Sequence, residues 1–362
     1  MMNLYICSTI RNLMFSVLRA AEESDVNSII LMIVDQQHID PSIFNKKVLP
    51  RNVQVNFIYR NNIRKLVDGS PVGHFFRLLA SLNIKTNSSF RSRYRKWLLN
   101  TLSQELCLTQ LPSKLVLFND RSRVARLFRL AFRDYEVIED GISNYSGVQL
   151  KPLESTWRFL TGHKLKKRYI GDDKRCKRIY LLNPENAPDA IREKTEKINF
   201  LNPARVSGIC SSFFGLKSDA IKEGTLYIIA TQPITAGNLT GSNFDLVIYG
   251  KVVEFLKNQG ISPAFKVHPR ESMNRYQEAF PDLQMVESKI PLELLIFGNE
   301  SKCNIISVYS TAGMGFEKFC NRLTLIADDE SERMAEVFDN WRASEKALDE
   351  RVFHTLVKNV GL

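Results

Sequence analysis

The chain has 362 residues, 44% of them hydrophobic, with a formal net charge of +11 at pH 7, enough apolar content for a substantial core and enough length to favour two domains over one. Its six cysteines, Cys7, Cys107, Cys176, Cys210, Cys303 and Cys320, stand singly with no CxxC pair, which argues against a zinc site or disulfide scaffold and fits a reducing cytoplasm. The opening MMNLYICSTIRNLMF lacks the pattern of a secretory leader, and no apolar run approaches the ~20 residues of a membrane span, so a cytoplasmic protein is expected.

In chain order, Leu4 to Cys7 reads as a short strand, and Arg11 to Glu23 places Leu13, Met14, Val17, Leu18 and Ala21 at helical spacing. Ser28 to Val34 and Val53 to Tyr59 are further strands. Phe90 to Trp97 (FRSRYRKW) then interleaves Arg91, Arg93, Arg95 and Lys96 with aromatics. Leu115 to Phe118 and Tyr135 to Ile138 follow as strands. Apolar runs separated by helices imply a largely parallel sheet covered on both faces.

Lys164 to Arg178 (KLKKRYIGDDKRCKR) is basic with one acidic interruption. Both basic segments suit a solvated face and an anion-docking surface about equally, with an anionic membrane ahead of nucleic acid. From Leu226 the alternation resumes: a YIIA strand, a helix over Asp245 to Asn258, a strand from Ala264 to Val267, and strands at Gln284 to Val286, Asn304 to Val308 and Leu323 to Ala327, with a short helix at Pro291 to Phe297. The expected architecture is α/β, two Rossmann-like doubly wound domains facing a cleft, with residues 1–200 as one domain and 201–362 as the other. Ligands of such sheets bind beyond the carboxyl ends of the strands.

Three polar clusters fall there. Glu139-Asp140-Gly141 follows the strand ending at Ile138. A Glu-Asp-Gly triplet alone is most often a turn, yet at this position it presents at least one carboxylate to the cleft. His268-Pro269-Arg270-Glu271 follows Val267, where a histidine either caps local backbone or meets a leaving phosphate. Lys266 and Arg270 add fixed charge beside it, though a lysine pointing to solvent is an equal reading. Ser310-Thr311-Ala312-Gly313 precedes an expected helix from Phe316, whose amino terminus would either be an ordinary cap or close on a phosphate. No GxGxxG follows the first strand and no Gly-Lys-Ser/Thr occurs, which disfavours dehydrogenases, kinases and P-loop enzymes.

In combination and order, IEDGISNY, FKVHPRE and SVYSTAG resemble the bacterial sialyltransferases, specifically the lipooligosaccharide type (glycosyltransferase family 52) and the capsular polysialyltransferases. The opening strand and helix, Thr231-Gln232-Pro233 and IPLELL with Glu293 add to the resemblance.

The resemblance implies a GT-B type fold and inverting transfer from CMP-sialic acid to a glycan hydroxyl, with no required metal or other cofactor. Carried onto this chain, it makes Glu139 the general base with Asp140 as its alternative or orienting partner, and gives His268 the departing phosphate to protonate or hydrogen-bond. Ser310 and Thr311 would hold that phosphate. Gly141, Thr231, Gln232, Lys266, Pro269 and Glu293 complete the CMP-binding set, with Glu293 at the ribose. Some lipooligosaccharide enzymes carry a further acid in the loop that here reads TQPITAGN; its absence moves the base role toward Glu-Asp-Gly. The implied partners are a CMP-sugar donor and a glycan or lipid-linked glycan acceptor, with peripheral docking on an anionic membrane and no nucleic acid. Another CMP-activated acid sugar (Kdo or legionaminic acid), or a non-catalytic role in polysaccharide assembly, remains as an alternative.

Overall fold

The computed structural model describes residues 2–35, 37, 39–84, 86–108, 110–150, 156, 167–216, 227–234, 243–297, 302–310, 312–327, 330 and 333–360. The chain divides into two compact units, Met1–Phe213 and Phe214–Leu362.

The first unit runs β1 (Met2–Cys7), α1 (Ile10–Glu22), β2 (Asn27–Ile33), β3 (Val53–Ile58), α2 (Arg60–Asp68), α3 (Pro71–Ser81), α4 (Ser88–Leu106), β4 (Lys114–Leu117), α5 (Arg123–Ala131), β5 (Tyr135–Ile138), a small hairpin of β6 (Val148–Gln149) with β7 (Lys167–Arg168), then β8 (Cys176–Leu181) and β9 (Thr195–Lys197). Seven of these strands form one sheet in the order β3-β2-β1-β4-β5-β8-β9, every pairing parallel. The order reverses between β1 and β4. Leu4, Ile6, Leu31, Leu115 and Leu117 from the strands meet Leu98, Leu102 and Phe128 from α4 and α5 in one buried cluster. The Thr9 hydroxyl starts α1 by accepting from the Asn12 amide at 3.1 Å, the usual way an orphan first-turn N–H is satisfied.

The second unit contains β10 (Tyr227–Ala230), α6 (Phe244–Asn258), β11 (Ala264–Lys266), α7 (Met273–Ala279), β12 (Gln284–Val286), α8 (Leu292–Phe297), β13 (Cys303–Ser307), β14 (Cys320–Thr324), α9 (Met334–Ala343) and α10 (Glu345–Val360). Its sheet is parallel with the order β12-β11-β10-β13-β14 and reverses between β10 and β13. Ile229, Phe265, Ile306 and Leu323 build its core with Phe338, Trp341 and Leu356 of the closing helices. Both sheets are thus of the Rossmann kind, and ligand sites in such sheets lie at the reversal points.

Several expectations change. The first unit extends to Phe213 rather than residue 200, because the segment after β9 packs back onto it: the Phe213 ring stacks on Phe44 at 5.3 Å, and Asn45 donates to the Phe213 carbonyl at 3.0 Å. Strands β8 and β9 lie in what reads as a polar connecting region and complete the first sheet. Among the described residues, 312–319 form turns where a helix from Phe316 was expected. Gly313 and Gly315 take φ of +74° and +84°, a left-handed backbone incompatible with a helical run, and the chain turns directly into β14.

The basic segments are also largely engaged. Tyr94 of FRSRYRKW is fully buried and, with Phe90 and Trp97, packs on Phe76. Arg95 donates to the carbonyls of Leu111 at 2.6 Å and Pro112 at 2.9 Å. In the second segment Lys164 to Lys166 lie outside the described residues, while Arg175, Lys177 and Arg178 pair with Asp173, Asp134 and Glu196.

Candidate active site

In the first unit, β5 delivers Glu139 and Asp140 to the carboxyl edge of the sheet, beside the loop leaving β1 and the start of α1. The two carboxylates are held very differently. Glu139 is buried. Its Oε1 accepts from Arg11 Nη2 at 3.0 Å, and its Oε2 accepts from the Tyr145 hydroxyl at 2.5 Å and the Leu182 amide at 2.9 Å. Both of its oxygens are thereby engaged by partners within the first unit.

Asp140 is half-buried. Its Oδ1 accepts from Asn12 Nδ2 at 3.0 Å, and its Oδ2 lies 3.5 Å from Asn119 Nδ2, a weaker contact. Burial raises its pKa, and Glu139 adds to that rise; the Asn12 and Asn119 amides and Arg11 oppose it without cancelling it. Gly141 follows with φ of +126°, which turns the chain so that Asn144 reaches back and its Oδ1 accepts from the Asp140 amide at 2.8 Å. Arg11, Asn12, Asn119 and Tyr145 were not singled out from the sequence. The rule that ligands gather at the reversal point, applied to the loops after β1 and β4, finds the first three.

Asn119 owes its place to a buried ion network beneath it. Arg129 of α5 pairs with Asp173, lies 3.7 Å from Asp120 and donates to the Asp120 carbonyl at 2.9 Å. The Tyr135 hydroxyl donates to Asp120 Oδ2 at 2.7 Å. The loop after β4 is therefore clamped from below.

In the second unit, Thr231 leaves β10 and His268 follows β11. The Thr231 hydroxyl accepts from the His268 amide at 2.8 Å and donates to Glu271 Oε2 at 2.6 Å, and Tyr276 donates to Glu271 Oε1 at 2.8 Å. The His268 Nδ1 accepts from the Arg270 amide at 3.1 Å, an arrangement that leaves the ring proton on Nε2. Burial, with Arg270 and Lys266 adding to it, lowers the His268 pKa to about 4. With that proton on Nε2, the ring offers an N–H donor at the end of β11. Pro269 carries the chain out of the strand beside it.

Lys266 does not point to solvent. Its ammonium is buried and donates to the carbonyls of Glu287 at 3.2 Å and Ser288 at 3.1 Å, so it ties β11 to the loop after β12. Burial pulls its pKa down to about 8 against the opposing charge of Glu293, itself buried in the first turn of α8. The Gln232 side-chain Oε1 accepts from the Tyr309 amide at 2.6 Å, joining the segments after β10 and β13. Ser310 Oγ accepts from the Ala312 amide at 3.0 Å, while Arg322 of β14 donates to the carbonyls of Ser310 at 2.9 Å and Ala312 at 3.1 Å. Thr311 lies outside the described residues. Thr231, Gln232, Lys266 and His268 are thus assembled at one reversal point with Ser310 close behind, although a turn stands where a helix terminus was expected.

Two Rossmann-like sheets, each with polar residues gathered at its reversal point, are the architecture of the GT-B fold. The profile of glycosyltransferase family 52 matches residues 77–327, well over half of the chain, and the chain belongs to that family. An uncharacterized protein of Haemophilus influenzae is 27% identical over 189 residues, which cover 50% of this chain and 59% of that relative. Among solved structures, an alpha/beta-galactoside alpha-2,3-sialyltransferase from the luminous marine bacterium Photobacterium phosphoreum superposes with a TM-score of 0.52 at 12% identity, covering 98% of this chain and 95% of its own. The GT-B domain of a Photobacterium damselae sialyltransferase gives 0.48 at 11% identity, covering 98% and 97%. No described helix is long and apolar enough to cross a membrane.

Proposed function

We propose that the chain is an inverting sialyltransferase that moves sialic acid from CMP-sialic acid to a glycan hydroxyl, a galactoside of a bacterial surface glycan. The reading is supported by membership of family 52, with Asp140 standing after β5 at the carboxyl edge of the first sheet, where burial raises its pKa, and His268 after β11 at that of the second. Asp140 takes the proton of the acceptor hydroxyl as its oxygen attacks the anomeric carbon. The bond from that carbon to the phosphate oxygen breaks with its electron pair on oxygen, and CMP departs. A phosphate monoester has a second pKa near 6, so the leaving group needs no proton, and the Nε2–H of His268 serves by hydrogen-bonding the growing charge. Glu139 is then the positioning residue that fixes Arg11 and the Asp140 backbone. Thr231 and Gln232 shape the CMP pocket, and Glu293 contacts the ribose.

Purified chain incubated with CMP-sialic acid and a galactoside panel in excess EDTA is expected to yield sialylated product. Product from CMP-Kdo or CMP-legionaminic acid alone would move the donor assignment. Loss of product in EDTA would require a metal, and silence with every donor and acceptor would favour a non-catalytic assembly role.

A further inference from the structure

Three residues from neighbouring strands of the first sheet meet at its carboxyl edge. Along the order β1-β4-β5, the chain after β1 supplies Asn12 of α1, the loop after β4 supplies Asn119, and β5 leads into Asp140. Asn12 is 0% exposed, yet its side chain does not serve its own helix. The first turn is already capped by the Thr9 hydroxyl, which accepts from the Asn12 backbone amide at 3.1 Å. The side chain reaches instead across 128 residues of sequence to Asp140, where Nδ2 donates to Oδ1 at 3.0 Å.

Which end of this amide faces Asp140 is settled by its other contact. The Ser8 backbone N–H donates to Asn12 Oδ1 at 3.5 Å, so Nδ2 is the end left for the carboxylate. The reverse orientation would set two acceptors against each other on one side and two donors on the other. Asn119 is oriented in the same way: its Oδ1 accepts from the Arg121 amide at 3.0 Å, and its Nδ2 turns to Asp140 Oδ2 at 3.5 Å. Buried Asn144 holds the backbone, accepting from the Asp140 amide at 2.8 Å. The carboxylate is therefore pinned through Oδ1, and Oδ2 is the less engaged oxygen.

We propose that Asn12 is a positioning residue for Asp140: its side-chain amide holds the carboxylate through Oδ1, leaves Oδ2 to receive the substrate proton, and sets the pH at which Asp140 ionises. This rests on the reading of Asp140 as the general base. A donor to a carboxylate stabilises its charged form. Asn12 thus acts with Asn119 and Arg11 against burial and the Glu139 charge, which favour the protonated form. Arg11 and Glu139 are paired with each other at 3.0 Å, so the two neutral amides make the hydrogen bonds to the carboxylate itself. The residue type matters, since alanine would leave Oδ1 without its donor and aspartate would oppose the charge.

The test follows Asp140 in the full chain by two independent readings. Carboxyl carbon NMR, with the Asp140 resonance assigned by its loss in Asp140→Asn, reports ionisation without substrate. The pH dependence of kcat/KM reports it through turnover. Asn12→Ala keeps a good helix former in α1 and should raise the NMR midpoint by about one pH unit, because losing the donor removes support for the charged form. The acid limb of the rate profile should move up equally. Asn119→Ala should move both by less, its contact being the longer one. Asn12→Asp, which keeps the shape, should move them furthest, because adjacent carboxylates share a proton. An NMR midpoint that stays at the wild-type value in Asn12→Ala and Asn12→Asp would overturn the proposal, whatever happens to the melting temperature. A midpoint that moves while the rate profile stays put would support the Asn12 contact and remove Asp140 as the base.

Discussion

Arg11 and Glu139, 128 residues apart in sequence, meet at 3.0 Å between the first turn of α1 and the end of β5. That contact pairs one of two adjacent carboxylates with a cation, while its neighbour Asp140 accepts from the side-chain amides of Asn12 and Asn119. The variants that separate the two are informative for this reason.

Asp140→Asn should lower turnover by about 10²–10⁴-fold, the usual cost of removing a general base, with an unchanged melting temperature. Glu139→Gln should instead act on stability, because it leaves Arg11 facing an amide; breaking such a pair costs about 3 kcal/mol. Its turnover at a temperature where it remains folded should fall less than that of Asp140→Asn. Melting curves and turnover for both variants check this, and the reverse pattern would return the base to Glu139.

His268 acts in this reading as a neutral donor, so the donor group matters more than basicity. His268→Ala is expected to cut turnover by about 10²–10³-fold, as for an oxyanion-hole donor, while His268→Gln, which keeps an N–H, stays within about tenfold of wild type. With CMP-sialic acid varied, the loss should fall on turnover rather than on the Michaelis constant. In the ligand-free protein the ring should titrate at about 4 by NMR. A midpoint near the ordinary 6.5 would mean that burial does not hold it neutral.

The clamp under the loop after β4 makes stability depend on acid. Burial works against the Asp173 charge, but Arg129 and Arg175 outweigh it and hold the carboxyl well below the usual carboxylate range. A folded pKa below the unfolded one stabilises the protein fully above the unfolded value near 3.9, and that stability is lost as pH falls toward the folded pKa. The melting temperature should be flat through neutrality and drop below about pH 4. Asp173→Asn should cost about 3–5 kcal/mol at pH 7 and flatten the acid limb. An unchanged acid limb would place the acid sensitivity elsewhere.

Much of the fold was legible because parallel strands buried on both faces read as continuous apolar runs. SIILMIV became β2 and YIIA became β10. The strand β8, CKRIYL, hid because its outer half is charged and it adjoins a basic run. The helix expected from Phe316 is not formed: Gly313 and Gly315 before it take positive φ, and a Cβ on Gly313 would fall 2.9 Å from Cys320 Sγ, a close approach that single-sequence periodicity does not reveal. Sequence order put Glu139, Asp140 and His268 after strand ends, where the structure also has them, but could not tell a carboxylate paired with an arginine from one held by side-chain amides. That distinction depends on Arg11, Tyr145 and Leu182, which come from three separate stretches of chain.

The hydrogen bond from the Tyr309 amide to the Gln232 side chain has a thermodynamic consequence. Because Gln232 and Tyr309 are already joined, a ligand arriving beside them would not have to order those two residues. Less of the contact energy at that point is then consumed in freezing chain motion, and Gln232→Ala, which removes the stitch, should weaken association there through lost pre-arrangement.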